Sequence, residues 1–195
     1  YGLKVAASLL QNSKERYALV IGSEQISTRL DMEDRNTCVL FGDGAGATVI
    51  ELKEGTELYS VWGSEGLTDV LGCTGQNMGK AHIFMDGQKT FKNAVKRMGS
   101  AAAEVLEQSG YTMDDIDYVV CHQANERIID AVVKRMDIPE EKVVKVIARY
   151  GNTSAASIPI TLDEMYEQGM LEKGNRILLA TFGAGFTWAS MIVEI

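Results

Sequence analysis

The chain has 195 residues, enough for one or two domains with a sizeable core. Hydrophobic residues make up 46% of it, yet no apolar run reaches the roughly 18 residues of a membrane-span candidate. Three cysteines (Cys38, Cys73 and Cys121) show no paired spacing, which argues against a disulfide framework and fits a reducing cytoplasm. The net charge of −8 disfavours general nucleic-acid affinity, while leaving room for a local basic patch.

The chain opens on "YGLKVAASLLQ", which reads as the middle of a helix. It has neither a basic n-region nor an apolar h-region, so a signal peptide is rejected. The expectation is a piece of a larger protein. "YALVIGSE" (Tyr17 to Glu24) reads as a buried strand, and "TCVLFGDGAGATVIEL" as two apolar runs around a glycine turn, a hairpin or a strand–turn–strand. Residues 53 to 80, rich in Gly, Ser, Thr and Asn, read as an irregular linker or active-site loop. In "FKNAVKRMGSAAAEVLEQSG" the apolar residues fall at helical spacing, with Gly110 as the stop.

"IDYVV" reads as a strand and Asn125 to Met136 as a second helix. "EKVVKVI" reads as another strand, and "GNTSAASIPITLDEMYEQG" as a loop feeding a helix. The end, "RILLATFGAGFTWASMIVEI", reads as two apolar strands joined at a glycine corner. Alternating strands and helices give an α/β class. Both halves end in strand, glycine turn and strand, a weak echo that points to a duplicated unit.

Four stretches carry possible chemistry. "FGDGAGA" (Phe41 to Ala47) has the glycines of a phosphate cradle, but a strand pattern follows it rather than a helix, so a tight sheet corner is the better reading. His122 stands at the C-terminal end of a predicted strand, where α/β proteins place ligands. It is either a proton-handling imidazole or a satisfied structural histidine. Asn152, before a helix, is either a cap or a side-chain amide that donates to a carbonyl oxygen gaining charge. "FGAGF" (Phe182 to Phe186) lets backbone N–H groups approach a ligand, or is only a turn. No metal-ligand spacing is found.

The motifs "LFGDGAGA", "CHQAN", "GNTSAAS" and "FGAGFTW", in this order, closely resemble the β-ketoacyl-acyl-carrier-protein synthase III family of thiolase-like condensing enzymes. The resemblance implies an αβαβα layered sandwich built from two related halves. Residues 1–80 would be the end of the first half with an active-site loop, and residues 81–195 the second half. It implies an initiating condensation in fatty acid synthesis, a decarboxylative Claisen reaction between a short acyl-CoA and malonyl-acyl carrier protein. No cofactor is implied, since coenzyme A enters as a thioester substrate. The implied protein is a cytoplasmic homodimer with no nucleic acid or membrane partner. Related polyketide condensing enzymes and a non-catalytic binding or dimerisation half are the rival readings.

Carried over residue by residue, the resemblance makes His122 and Asn152 catalytic and gives the Ala184 N–H to an oxyanion hole, at a position where many relatives have glycine. The family's nucleophilic cysteine falls upstream of the position matching Tyr1, and none of the chain's cysteines sits in its context. Arg35 resembles the residue that packs on the coenzyme A adenine. Arg127, Lys92, Lys134 and Arg135 supply positive charge for coenzyme A or an acidic carrier protein. Ile26, Val39, Met85, Gly87 and Phe91 match positions near the acyl pocket.

Overall fold

The computed structural model describes residues 1–53, 55, 57–74 and 82–195. Helix α1 (Gly2–Gln11) leads into strand β1 (Tyr17–Glu24), which has the expected bounds. Strand β2 (Gly44–Glu51) pairs with β1 antiparallel, with Gly22 opposite Gly46. The first apolar run before it, Thr37 to Leu40, is not the strand expected. Asp34 accepts from the Asn36 N–H (3.0 Å) and from the Thr37 hydroxyl (2.9 Å), and Cys38 N–H returns to Asp34 O (3.0 Å). These local bonds fold the run into turns despite its strand-forming residues.

Within the expected irregular stretch, residues 53 to 80, lie two strands that sequence reading missed. Strand β3 is Ser60–Ser64 and β4 is Leu71–Cys73; positions 54, 56 and 75–80 fall outside the described residues. Both strands are short and lack clean alternation, so their stability comes from their pairing partners, distant in the chain for β3 and nearby for β4. Strand β4 pairs with β5 (Ile83–Met85), and β3 with β8 (Thr187–Glu194). Strand pairing therefore crosses residue 80, the expected limit between the two halves.

Helix α2 (Gly87–Ser109) is capped by Asp86, whose side chain accepts from Lys89 N (3.0 Å), and stops at Gly110 with φ 72°. Strand β6 (Tyr118–Cys121) and helix α3 (Glu126–Met136) follow as expected, with Asn125 capping α3. The expected strand "EKVVKVI" does not form. Only Val143 makes a bridge, to Val119, and the chain then turns into the short helix α4 (Ile147–Tyr150). The cause is Gln123, whose buried side-chain oxygen takes the N–H groups of Val146 (2.9 Å) and Ile147 (3.2 Å) away from any strand partner. Helix α5 (Ser157–Glu167) and strand β7 (Arg176–Gly183) complete the set.

The larger sheet has the order β3-β8-β7-β6, with β6 parallel to β7 and the other pairs antiparallel. One face of it packs on α2 and α3 through Met98, Val105, Ile129 and Val132 against Val119, Leu178 and Phe182. The other face packs on α5 and α1 through Met165, Leu162 and Leu3 against Val120, Ile177 and Leu179. Each large apolar side chain buried this way contributes about 1.5–3 kcal/mol. The β1–β2 pair lies beyond α5, giving the layer order α, β, α, β, four of the five layers expected. Its far face exposes Tyr17, Leu19, Ile21 and Val49.

The glycines of "FGDGAGA" serve close approach. Gly42 N–H donates to Asn152 O (2.9 Å), Asn152 N–H donates to Leu40 O (2.9 Å), and Phe41 forms a parallel bridge with Asn152. A Cβ on Gly42 would lie 2.3 Å from Tyr150 O, and one on Gly46 would lie 2.7 Å from Pro159 Cβ. The tight-corner reading holds, and the corner grips the Asn152 loop. Gly42→Ala is expected to destabilise the fold by about 1–3 kcal/mol in urea titration. An unchanged midpoint would show that the loop is held by other contacts.

Candidate active site

Parallel pairing of β6 with β7 ends with His122 N–H donating to Ala180 O at 2.8 Å. That bond carries His122 to the C-terminal edge of the sheet, where "FGAGF" turns β7 into β8. His122, Asn152 and Ala184 line one cleft of about 1110 Å³. The expected cluster of histidine, asparagine and glycine-rich corner thus converges in space.

His122 is 8% exposed, and burial pushes its pKa down to about 4, so the ring is neutral near pH 7. Its Nδ1 is 2.7 Å from the Ser157 hydroxyl, and the edge of its ring meets Phe182 at a centroid distance of 5.6 Å. Phe182 in turn stacks on Phe186 at 5.3 Å. These contacts fix the ring plane and leave Nε2 without a partner among the described residues.

Asn152 does not cap α5. Its side-chain oxygen accepts from the Ser154 N–H (2.9 Å), and Gly151, with φ 68° and ψ −162°, delivers it into this turn. The side-chain NH2 has no partner among the described residues. Ala184 is outside the left-handed region, so its methyl brings no backbone strain. Its N–H donates to nothing among the described residues. The corner itself is held by residues 65–67: Glu65 N–H donates to Phe186 O (2.8 Å), Leu67 N–H donates to Gly185 O (2.9 Å), and Phe186 N–H bonds to Glu65 O. This brace comes from the stretch expected to be an irregular linker or active-site loop, and its partners are not readable from the sequence.

The remaining residues divide. Ile26, Met85, Gly87 and Phe91 line the cleft, as do Lys92 and Arg127. Val39 is 66% exposed and outside the cleft lining, while its neighbours Leu40 and Phe41 line the cleft. Arg35 is exposed and outside the cleft lining. Lys134 and Arg135 are exposed on α3, away from the cleft, with Arg135 lying over Gly99 of α2. Sequence reading also missed Ser157 and Gln123, whose polarity inside a buried layer becomes a signal only once the fold is known.

Burial pushes Cys121 up to about 12, Cys38 stands outside the cleft lining, and Cys73 lies on its β4 wall. Among the described residues no group of three His, Cys, Asp or Glu side chains is placed to hold a metal ion.

Residues 1–66 match the family model of 3-oxoacyl-[acyl-carrier-protein (ACP)] synthase III, and residues 106–195 match that of its C-terminal part. The chain belongs to the β-ketoacyl-acyl-carrier-protein synthase III family. Along its full length it is 45% identical to a β-ketoacyl-[acyl-carrier-protein] synthase III of Caldanaerobacter subterraneus, of which it spans 63%. It superposes on the crystal structure of 3-oxoacyl-[acyl-carrier-protein] synthase III from Aquifex aeolicus with TM-score 0.91 and 42% identity, covering 100% of this chain and 63% of that one. The priming β-ketosynthase of the R1128 polyketide pathway follows with TM-score 0.92 and 34% identity, covering 99% of this chain and 61% of that one. The chain thus spans just under two thirds of the length of these relatives.

The depressed His122 pKa has a stability consequence. Between pH 6.5 and about 4 the unfolded chain binds a proton at this residue that the folded chain does not. Stability is therefore full above pH 6.5 and is lost as pH falls toward about 4, by about 3 kcal/mol at most. His122→Gln is expected to flatten this part of the stability–pH curve measured by urea unfolding. An identical slope in the variant would mean that His122 is not buried neutral.

Proposed function

We propose that this site stabilises the oxyanions of a decarboxylative condensation between a short acyl-CoA and malonyl-acyl carrier protein, the initiating step of fatty acid synthesis. The observation that carries the reading is the presence in one cleft of three groups without a partner among the described residues: His122 Nε2, the Asn152 side-chain NH2 and the Ala184 N–H. Family membership supports it.

In this reading a cysteine thiolate attacks the acyl-CoA carbonyl, and coenzyme A leaves as its thiol. The malonyl thioester then loses CO2, and the electron pair of the broken C–C bond becomes an enolate. His122 and Asn152 donate to the enolate oxygen, each lowering the barrier by about 2–4 kcal/mol. A neutral imidazole suits this role, because it donates without surrendering its proton. The enolate carbon attacks the stored acyl group, the Ala184 N–H meets the second oxyanion, and the thiolate is released.

Lys92 and Arg127 at the cleft, with Lys134 and Arg135 along α3, would meet the phosphates of coenzyme A and an acidic carrier protein. Arg35, in this reading, would lie against the adenine end of coenzyme A. The chemistry calls for no cofactor, and the proposed setting is a homodimer in the cytoplasm. Among the described residues no helix is long and apolar enough to cross a membrane.

A second reading, priming of a polyketide with another starter, draws support from the R1128 relative. A panel of acyl-CoA starters separates the two, acetyl or short branched chains favouring the first. The test of the shared chemistry is release of labelled CO2 from malonyl-acyl carrier protein by the protein carrying its acyl-accepting cysteine. His122→Ala and Asn152→Ala are each expected to lower it ~10²–10³-fold. Retained release in both variants would overturn the proposal.

A further inference from the structure

Ser157 is the first residue of α5 and is 2% exposed. Its hydroxyl oxygen has two partners among the described residues: it accepts from the Gln123 N–H at 3.3 Å, and it lies 2.7 Å from His122 Nδ1. The first contact uses one of its lone pairs. The second can run either way. If Nδ1 carried the proton, the serine oxygen would accept twice and its own O–H would be buried without an acceptor, a penalty of about 1–3 kcal/mol. If the serine donates to Nδ1, the serine hydroxyl and Nδ1 are both satisfied, and the imidazole proton sits on Nε2, which faces the cleft.

Two further features favour a neutral ring. Burial lowers the affinity of His122 for a second proton, and the positive end of the α5 dipole stands beside Nδ1 and disfavours an imidazolium.

We propose that Ser157 is a positioning residue that fixes the tautomer of His122, donating its hydroxyl proton to Nδ1 so that Nε2–H is the donor presented to the cleft. Ser157 touches no reacting atom and acts through the histidine. The Gln123 N–H completes the relay by holding the serine oxygen, so its rotor has one free direction. The inference deepens the oxyanion reading of His122 and rests on it for its purpose. Its geometry is independent of that reading.

The test is long-range 1H–15N NMR of protein labelled with 15N-histidine, the His122 ring signals being assigned by their loss in His122→Gln. The expected wild-type spectrum at pH 7 shows the Nε2–H tautomer for His122. Ser157→Ala is expected to give averaged ring-nitrogen shifts, and Ser157→Thr, which keeps the hydroxyl, to retain the Nε2–H pattern. In turnover, Ser157→Ala should lower kcat for malonyl decarboxylation on the order of tenfold with KM nearly unchanged. A wild-type Nδ1–H tautomer, or an alanine variant with the wild-type spectrum, would overturn the proposal. If the alanine variant does not fold, the wild-type tautomer decides alone. Failure of the oxyanion reading would look different: full activity in His122→Ala with the tautomer still as expected.

Discussion

The arrangement of this site depends on one buried amide, that of Gln123. Its NH2 donates to Cys121 O (2.8 Å) and Val144 O (3.3 Å), while its oxygen accepts from Val146 and Ile147. A single side chain therefore ties the end of the β6 strand, which carries His122, to the segment that climbs toward Asn152. Each of these partners is a backbone group that would be costly to bury unpaired. The histidine and the asparagine, 30 residues apart in sequence, are placed relative to each other by this contact and by the backbone bridge from Phe41 to Asn152.

Around that tie the other parts are braces. The glycines at 42, 44 and 46 let the first sheet come close enough to grip the asparagine loop. Residues 65–67 hold the "FGAGF" corner from the opposite side through backbone bonds to Gly185 and Phe186. Phe182 and Phe186 pack the corner against the imidazole. The donors are fixed before any ligand arrives, which is what electrostatic stabilisation of a developing charge requires.

Much of the fold was legible in the sequence wherever a long periodic run met clear punctuation. Strand β1, helices α2 and α3, and the β7–β8 hairpin follow from apolar spacing bounded by Gly110, Asn125 and the "FGAGF" corner. Errors arose where a local or distant polar contact overrode propensity. Asp34 turned the Val39 run away from the sheet, and Gln123 stole the N–H groups of a Val-rich strand pattern. Strand β3 was missed because its partner comes from the far end of the chain, and β4 because three residues carry too little pattern. His122 and Asn152 were visible by motif, whereas Ser157 was not. A serine five residues past the asparagine has no sequence signal that distinguishes it from an ordinary residue of a helix's first turn.

The central claim is that His122 and Asn152 share one oxygen. A crystal structure with a non-decarboxylating malonyl thioester analogue tests it most directly. The account predicts the thioester oxygen within hydrogen-bonding distance of both His122 Nε2 and the Asn152 amide nitrogen. A bound analogue whose carbonyl meets neither atom would contradict it.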